Sequence, residues 1–444
     1  MKLQTKIVSI VLFLSIVLLG KQHIQSVQPP PAKKFLKSSS IQDKLQSKFP
    51  ATTDSATQND PLIVLTLMVK DEEHVIIQTL KPYIEGGIDA VLLFDTGSTD
   101  NTMSVAEQYM KEKKVRFYIV QEPFVDFATS RNRGLELARE KFPHAGFLIM
   151  PDAEWYLHNG EELIKFCKER LAAAEKDKSL DCDSYLLRIM SPQLDFYTQR
   201  LIRANRVVRF VGVVHETLDH VTQTVVPGNV YFELGSTKLG YEKSRKRWER
   251  DKELLLKHHL ENPEDPRSAF YLAQTYDCLG ELEKAYTYYT VRKNMPGWCE
   301  ENFMAVYRLA QVTDRLQAQK NPKFSWDEAL GYYLQAFDMR PCRAEPLIKV
   351  AEHYLSHGQH ELAYIFVRRA AEIRYPEQDM LFVEKEAYDY TRHDVLGQCA
   401  WYVGSFDLGE SAIRSALKIH PLHQHLKNNL AFYENRKKPA QATA

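Results

Sequence analysis

The chain contains little that would mark it as a small stapled domain, a zinc protein or a nucleic-acid binder. Its six cysteines (Cys167, Cys182, Cys278, Cys299, Cys342 and Cys399) include no C-x-x-C pair. That argues against a structural zinc site, and a chain this long needs no disulfides to build a core, so buried thiols are expected. There is no excess of either charge: Lys+Arg and Asp+Glu both total 58 in 444 residues. A broad basic footprint for nucleic acid is therefore missing. No apolar run reaches the roughly twenty residues of an ordinary membrane-spanning helix. The longest terminal run, Ile7 to Gly20, follows Lys2 and Lys6, and Lys21 comes after it. It reads equally as a signal peptide (residues 1–20) or as a single signal-anchor. Either reading expects the body of the protein in the secretory pathway, lumenal or extracytoplasmic, with secretion as the alternative. Residues 21–58 are rich in Gln, Ser, Thr, Lys and Pro without a sustained period, and read as a disordered linker.

What is present divides in two. Leu62 to Val69 (LIVLTLMV) and Ala90 to Phe94 are continuous apolar runs suited to strands buried on both faces. Helical patterns follow each. Val115 to Val120 and Gly146 to Met150 continue the alternation, with Ser130 to Lys141 as helix between them. Strands alternating with helices predict βαβ units and a mainly parallel, Rossmann-like sheet over residues 59–242. From residue 243 to 435 the strand signals nearly stop and a repeat appears. Ala273, Tyr276, Gly280, Ala285 and Tyr289 share their offsets with Ala351, Tyr354, Gly358, Ala363 and Val367. They recur as Gly397, Ala400, Gly404, Gly409 and Ile413. Pro296, Pro341, Pro376 and Pro421 close the units. Small residues at fixed offsets mark close helix packing, and the pattern resembles tetratricopeptide repeats, two of them lengthened. Such arrays offer a concave surface for a peptide or protein segment. Residues 436–444 read as a disordered tail.

Three acidic clusters fall at predicted strand ends: Asp71-Glu72-Glu73, Asp95 to Asp100 (DTGSTD), and Asp152-Ala153-Glu154. In open parallel sheets ligands bind at the carboxyl ends of strands. Clustered carboxylates repel, so three of them point to a cation or to sugar hydroxyls. Ser98 and Asp100 also have a simpler reading, as caps of the helix from Thr102.

Val69 to Thr102, Phe124 to Asn132 (FVDFATSRN), Leu148 to Leu157 (LIMPDAEWYL) and Arg200 to Leu218 (RLIRANRVVRFVGVVHETL) together resemble family-2 glycosyltransferases of the GT-A fold, in the family's order. The resemblance covers about residues 60–235, and the helical tail resembles members that carry tetratricopeptide repeats. It implies a glycosyltransferase taking a nucleotide-sugar, expected to be UDP-linked, and a protein, glycan or lipid acceptor. It implies Mn²⁺ or Mg²⁺ on Asp152 and Glu154, with His215 completing the coordination. Asp71, Glu73, Asp95, Ser98, Asp100, Arg131 and Asp152 are the implied donor-binding residues. Glu216 is the first candidate for the general base an inverting transfer needs, and Asp195 the second. Each has a plainer alternative: Glu216 as a partner of Arg209, Arg131 as a surface arginine, His215 as a satisfied histidine. Trp155, Tyr156, Phe196 and Tyr197 suit sugar stacking and core packing equally. Two positions depart from the family pattern. Asp71 stands where an Asn is usual, and Glu154 makes the D-x-D a D-x-E. That change motivates the alternative of a degenerate transferase fold acting as a repeat-based adaptor. A nucleotidyltransferase is disfavoured, because the first strand ends in acid rather than in a Gly-rich basic loop.

Overall fold

The computed structural model describes residues 60–191, 194–235 and 238–437. The segments read as signal or anchor and as linker lie outside these, as does the expected C-terminal tail from residue 438 on; Arg436 belongs to the last helix. Among the described residues no helix is long and apolar enough to cross a membrane.

The alternating half begins with β1 (Ile63–Val69), α1 (Ile76–Glu85), β2 (Ala90–Asp95), α2 (Thr102–Glu112), β3 (Arg116–Gln121), α3 (Phe127–Lys141) and β4 (Phe147–Ile149). β1 to β4 pair in parallel in the spatial order β3-β2-β1-β4. Every residue of β2 and β4 is buried, and β1 is nearly so, which is why these strands read as unbroken apolar runs. Strand order reverses between β1 and β4, so their carboxyl ends flank the crevice that such sheets use for ligands.

The sheet then becomes mixed. β5 (Trp155–His158), α4 (Gly160–Lys176), β6 (Ser184–Met190), β7 (Leu194–Arg203), β8 (Phe210–Val211), β9 (Thr217–Leu218), β10 (Gln223–Val225) and β11 (Tyr231–Leu234) follow. β7 runs antiparallel to both β4 and β6, pairing Ile149 with Leu201. This antiparallel neighbour brings Arg200 alongside the end of β4, where Met150 N donates to Arg200 O at 2.8 Å.

The helical half opens with α5 (Lys238–Glu261), which crosses the expected boundary at residue 243. Helix pairs follow: α6 (Pro266–Leu279) with α7 (Leu282–Lys293), α8 (Cys299–Ala318) with α9 (Trp326–Met339), and α10 (Glu345–Ser356) with α11 (His360–Glu372). α12 (Arg392–Tyr402) pairs with α13 (Phe406–Ile419), and α14 (Gln424–Arg436) ends the array. Gly280 and Gly358 turn the chain between paired helices at φ of 78° and 73°. A Cβ at either would meet nothing, so it is the left-handed backbone that calls for glycine there. Ala273, Ala285, Ala351 and Ala363 are fully buried at the helix contacts, as the repeat predicts.

The spacing between Pro376 and Pro421 is long for a structural reason. A two-residue strand, β12 (Val383–Glu384), and a π-helical turn at Ala387–Thr391 are inserted before α12. β12 pairs antiparallel with β7, Val383 opposite Asp195, so the helical half donates a strand to the sheet. All six cysteines are free thiols; Cys167 and Cys399 are buried as expected, but Cys299 and Cys342 are exposed.

Candidate functional site

The loops after β1 and β2 are laced to each other. Asp71 N donates to Ser98 Oγ at 2.9 Å, and Asp71 Oδ1 accepts from Thr99 N at 2.7 Å. Glu72 N donates to Thr102 Oγ1 and Glu73 N to Asp100 Oδ2. Glu73 in turn accepts from Asn101 N and Nδ2, both at 3.0 Å. Asp95 is fully buried, and its carboxylate accepts from Gly97 N, Ser98 N, Ser98 Oγ and Gln121 Nε2. Thr102 N donates to Asp100 Oδ1 at 3.0 Å.

The expected donor-binding residues Asp71, Glu73, Asp95, Ser98 and Asp100 are thus brought together at the carboxyl ends of β1 and β2, where their carboxylates accept from backbone donors of the two loops and of the first residue of α2. Their hydrogen bonds shape the floor between β1 and β2.

The third cluster is different. Asp152 follows β4 and is about a third exposed, whereas the groups around it are enclosed. Arg131, from α3, donates through Nη2 to Asp152 Oδ1 and through Nε to Glu216 Oε1. Arg200 Nη2 donates to Glu216 Oε1 at 3.1 Å and lies 4.0 Å from Asp152 Oδ2. Phe210 packs under both guanidinium groups, 5.9 Å from Arg131 and 5.4 Å from Arg200. Asn132 locks that ring's strand in place by exchanging two hydrogen bonds with the Phe210 backbone, at 2.7 and 2.9 Å.

Burial opposes ionisation of Glu216, but the Arg131 and Arg200 guanidinium groups outweigh it and hold its carboxyl down at about 2. Burial likewise opposes the charge on Arg131, and Asp152 and Glu216 more than offset it, raising its pKa. Arg200 is lowered, by burial first and by Arg131 next. Glu216, the first candidate for the base, is thus enclosed and held ionised between Arg131 and Arg200, which are its partners rather than Arg209. Arg131 is a buried organiser of the site and not a surface arginine.

His215 neighbours Glu216 but turns to the helical half. Its ring stacks on Tyr271 of α6 with centroids 4.1 Å apart and planes at 20°. Its carbonyl accepts from Arg267 Nη2 at 2.9 Å. Asp71, Glu154 and His215 all have left-handed backbone, at φ of 54°, 66° and 54°. Such conformations cost free energy in non-glycine residues and gather at functional sites. Among the described residues no group of three or more His, Cys, Asp or Glu side chains is placed to hold a metal. The expected set Asp152, Glu154 and His215 is not among such groups, and Asp152 and Glu154 lie two residues apart in the segment between β4 and β5.

Asp195 has partners of its own. It pairs with Arg188, and Tyr375 of the helical half donates to its Oδ2 at 2.9 Å. Its Oδ1 has no hydrogen-bond partner among the described residues. Of the aromatic residues, Trp155 and Phe196 are core side chains, while Tyr156 and Tyr197 are half-buried.

Sequence reasoning missed Arg200, Arg247 and Asp251. Arg200 lies in a quoted motif, and Arg247 in the basic stretch from Lys243 to Arg250, but neither position signals its partner. Arg247 lies on α5, with Nε 3.8 Å from Asp251 Oδ2, in the field of Asp152 and Glu154. Burial lowers it to about 10, against the opposing pull of Asp251 and Asp152. Burial raises Asp251 to about 6 despite Arg247 and Arg250.

Residues 67–171 match the family described as Glycosyl transferase family 2. No curated protein matches the chain. Among solved structures, the C-terminal part of a TPR repeat-containing protein from Cytophaga hutchinsonii is 15% identical, with a TM-score of 0.34 over 43% of this chain and 66% of its own. MamA is 15% identical, with a TM-score of 0.31 over 45% of this chain and all of its own. YrrB, described as a TPR protein with an unusual peptide-binding site, is 22% identical, with a TM-score of 0.31 over 42% of this chain and 87% of its own. With the matched segment spanning β1 to α4, and Asp152 at the carboxyl end of β4, the chain carries a family-2 glycosyltransferase domain of GT-A type followed by a tetratricopeptide-like helical array.

Proposed function

We propose that the protein transfers a sugar, with inversion, from a UDP-linked donor to a protein, glycan or lipid hydroxyl, and that the helical array steers the acceptor. The observation that carries this is the partly exposed Asp152 at the switch point of the sheet, held by Arg131 and flanked by Glu154, inside the family-2 segment. The two carboxylates suit Mn²⁺ or Mg²⁺ in the mode that uses one or two carboxylates, waters and substrate phosphates, without His215. Such an ion supplies charge stabilisation at the departing diphosphate. The remaining work falls to the chain itself. Arg131 fixes the orientation of Asp152. Glu216 balances Arg131 and Arg200, so that neither guanidinium pulls Asp152 out of place. For the base we take Asp195, as buried as Glu216 but with an Oδ1 that has no hydrogen-bond partner among the described residues, on a strand that meets the helical half at β12.

The test is release of UDP from UDP-sugars by the full chain, with and without Mn²⁺, in the presence of acceptor panels. Release should require the metal and fall to background in an Asp152→Ala, Glu154→Ala double variant. Unchanged release in that variant would falsify the reading. The adaptor alternative rests on Glu154 in the D-x-E. It predicts calorimetric binding of a peptide to the helical array and no metal-dependent binding of any UDP-sugar.

A further inference from the structure

We infer that Arg267, a residue of the helical half, is a positioning residue of the transferase site: it holds the backbone that carries Glu216, and through Glu216 and Arg131 it sets the aim of Asp152. The inference rests on the transferase reading above and adds to it a residue from outside the family-2 segment.

Glu216 sits in a tight hairpin. Phe210 pairs with Leu218 and Val211 with Thr217, which leaves residues 212–216 as the connection. Within it Gly212 has a φ of 99° and His215 a φ of 54°. Glycine takes such a backbone at little cost. Histidine does not, and it keeps the strained conformation only where its surroundings over-determine it.

The helical half supplies that support. Arg267 donates to His215 O twice, through Nη2 at 2.9 Å and through Nε at 3.3 Å. Its guanidinium lies over the ring of Tyr271, 4.8 Å from the centroid, and the same ring stacks on the His215 imidazole at 4.1 Å. Arg267 is itself anchored at both ends. Its amide donates to Asp265 Oδ1 at 3.1 Å, where α6 begins, and its Nη1 lies 3.6 Å from Glu301 Oε2 of α8. Glu301 is buried and also accepts from Arg292 Nε at 2.9 Å.

Contacts thus run unbroken from α8 to the partly exposed carboxylate. They pass from Glu301 to Arg267, from Arg267 to His215 O, and from the adjoining Glu216 to Arg131 and on to Asp152. Because Arg267 grips a carbonyl, its hold does not depend on the side chain at position 215. A shift of that carbonyl moves Glu216, and a buried carboxylate displaced from two guanidinium groups no longer balances them.

The experiment compares full-length wild type, Arg267→Met, Arg267→Lys and Arg369→Met. Hydrogen exchange is measured on the metal-free proteins, and UDP release from UDP-sugars is measured with Mn²⁺ and the acceptor panels. Arg369 is an exposed arginine of α11 paired with Glu372, and Arg369→Met should match wild type. Arg267→Met loses a charge-assisted contact, so exchange in the segment from Val211 to Leu218 should quicken about tenfold or more, with the β1 and β2 amides still protected. Its kcat should fall about tenfold, the loss common when a residue behind a metal-binding carboxylate is removed. Arg267→Lys, with a point donor in place of the fork, should fall between. Unchanged exchange in that segment overturns the inference and leaves the transferase reading standing. So does quickened exchange with full turnover, which marks a residue that holds the loop without serving the site. Exchange that quickens equally along β1 and β2 overturns it too, as damage to the whole fold. If Arg267→Met does not fold, Arg267→Lys decides: wild-type exchange and turnover in it overturn the inference. Wild-type protein that releases no UDP overturns the UDP-donor reading, and the inference with it.

Discussion

Arg131 Nε donates to Glu216 Oε1 across 85 residues of chain, and each side chain is only 3% exposed. The pair joins α3 to the segment after β8, and through Arg131 Nη2 it reaches Asp152, which is partly exposed. The site is therefore organised from beneath, by buried charges that hold an exposed one.

Glu216→Gln should destabilise the protein by about 3 kcal/mol at neutral pH, because it leaves two buried guanidinium groups short of their counter-charge. The pH dependence has a definite sign. The folded-state pKa is about 2, below the ordinary 4.5, so the stabilisation is complete above pH about 4.5 and is lost as pH falls toward 2. Urea unfolding from pH 7 to pH 3 should show a shallower acid decline in the variant than in wild type. An equally steep decline would contradict the assignment.

Asp251 predicts the opposite. Its folded-state pKa is about 6, above the ordinary 3.8, so the folded protein is penalised for ionising it. That penalty is absent below pH about 3.8, grows between there and 6, and is complete above. Asp251→Asn should therefore stabilise the protein by about 1–3 kcal/mol at pH 8 and by almost nothing at pH 4. Melting temperatures of the two proteins at pH 4 and pH 8 decide this. A variant less stable than wild type at pH 8 would show that the ion pair with Arg247 outweighs the burial of the carboxylate.

The parallel strands were legible because burial on both faces writes itself as unbroken apolar residues: Leu62 to Val69 was expected, and Ile63–Val69 is found. The helix pairs were legible because Gly280 and Gly358 must turn left-handed between buried alanines. The roles of the acidic residues were not. That Asp71 meets Thr99 depends on how two loops 28 residues apart come together, and no local spacing records that. β12 escaped for a related reason. Two residues carry no period, and their strand exists only because β7 lies beside them.

His215 separates two accounts of the same motif. Stacked on Tyr271, it ties the segment bearing Glu216 to α6. His215→Ala should lower stability by about 0.5–1.5 kcal/mol, the range for a lost aromatic stack. The Mn²⁺ concentration that half-activates UDP release should stay unchanged. A large rise in that concentration, with stability unaltered, would restore His215 as a metal ligand.

Arg343 holds the other junction between the halves. It is fully buried, donates to Leu381 O and Phe382 O at 3.2 and 2.9 Å, and pairs with Glu345 and Asp379. Those carbonyls lie just before Val383 and Glu384, so the guanidinium shapes the loop that offers β12 to β7 opposite Asp195. Phe382, at a φ of 48°, adopts a backbone that an unsupported loop would relax. Arg343→Met keeps the bulk but leaves buried Glu345 without its arginine and Asp379 with only Arg340, and should cost about 3–5 kcal/mol. Hydrogen exchange should then show loss of protection at Val383 and along the facing part of β7, with the β1 and β2 amides still protected. Transferase activity should fall with it, because Asp195 loses the strand beside it. If the variant unfolds outright, Val383→Pro asks the same question more gently, since it removes one backbone donor at the edge of the sheet and leaves the Arg343 network in place. Protection at β7 that survives both substitutions would show that the sheet does not need the helical half to hold Asp195.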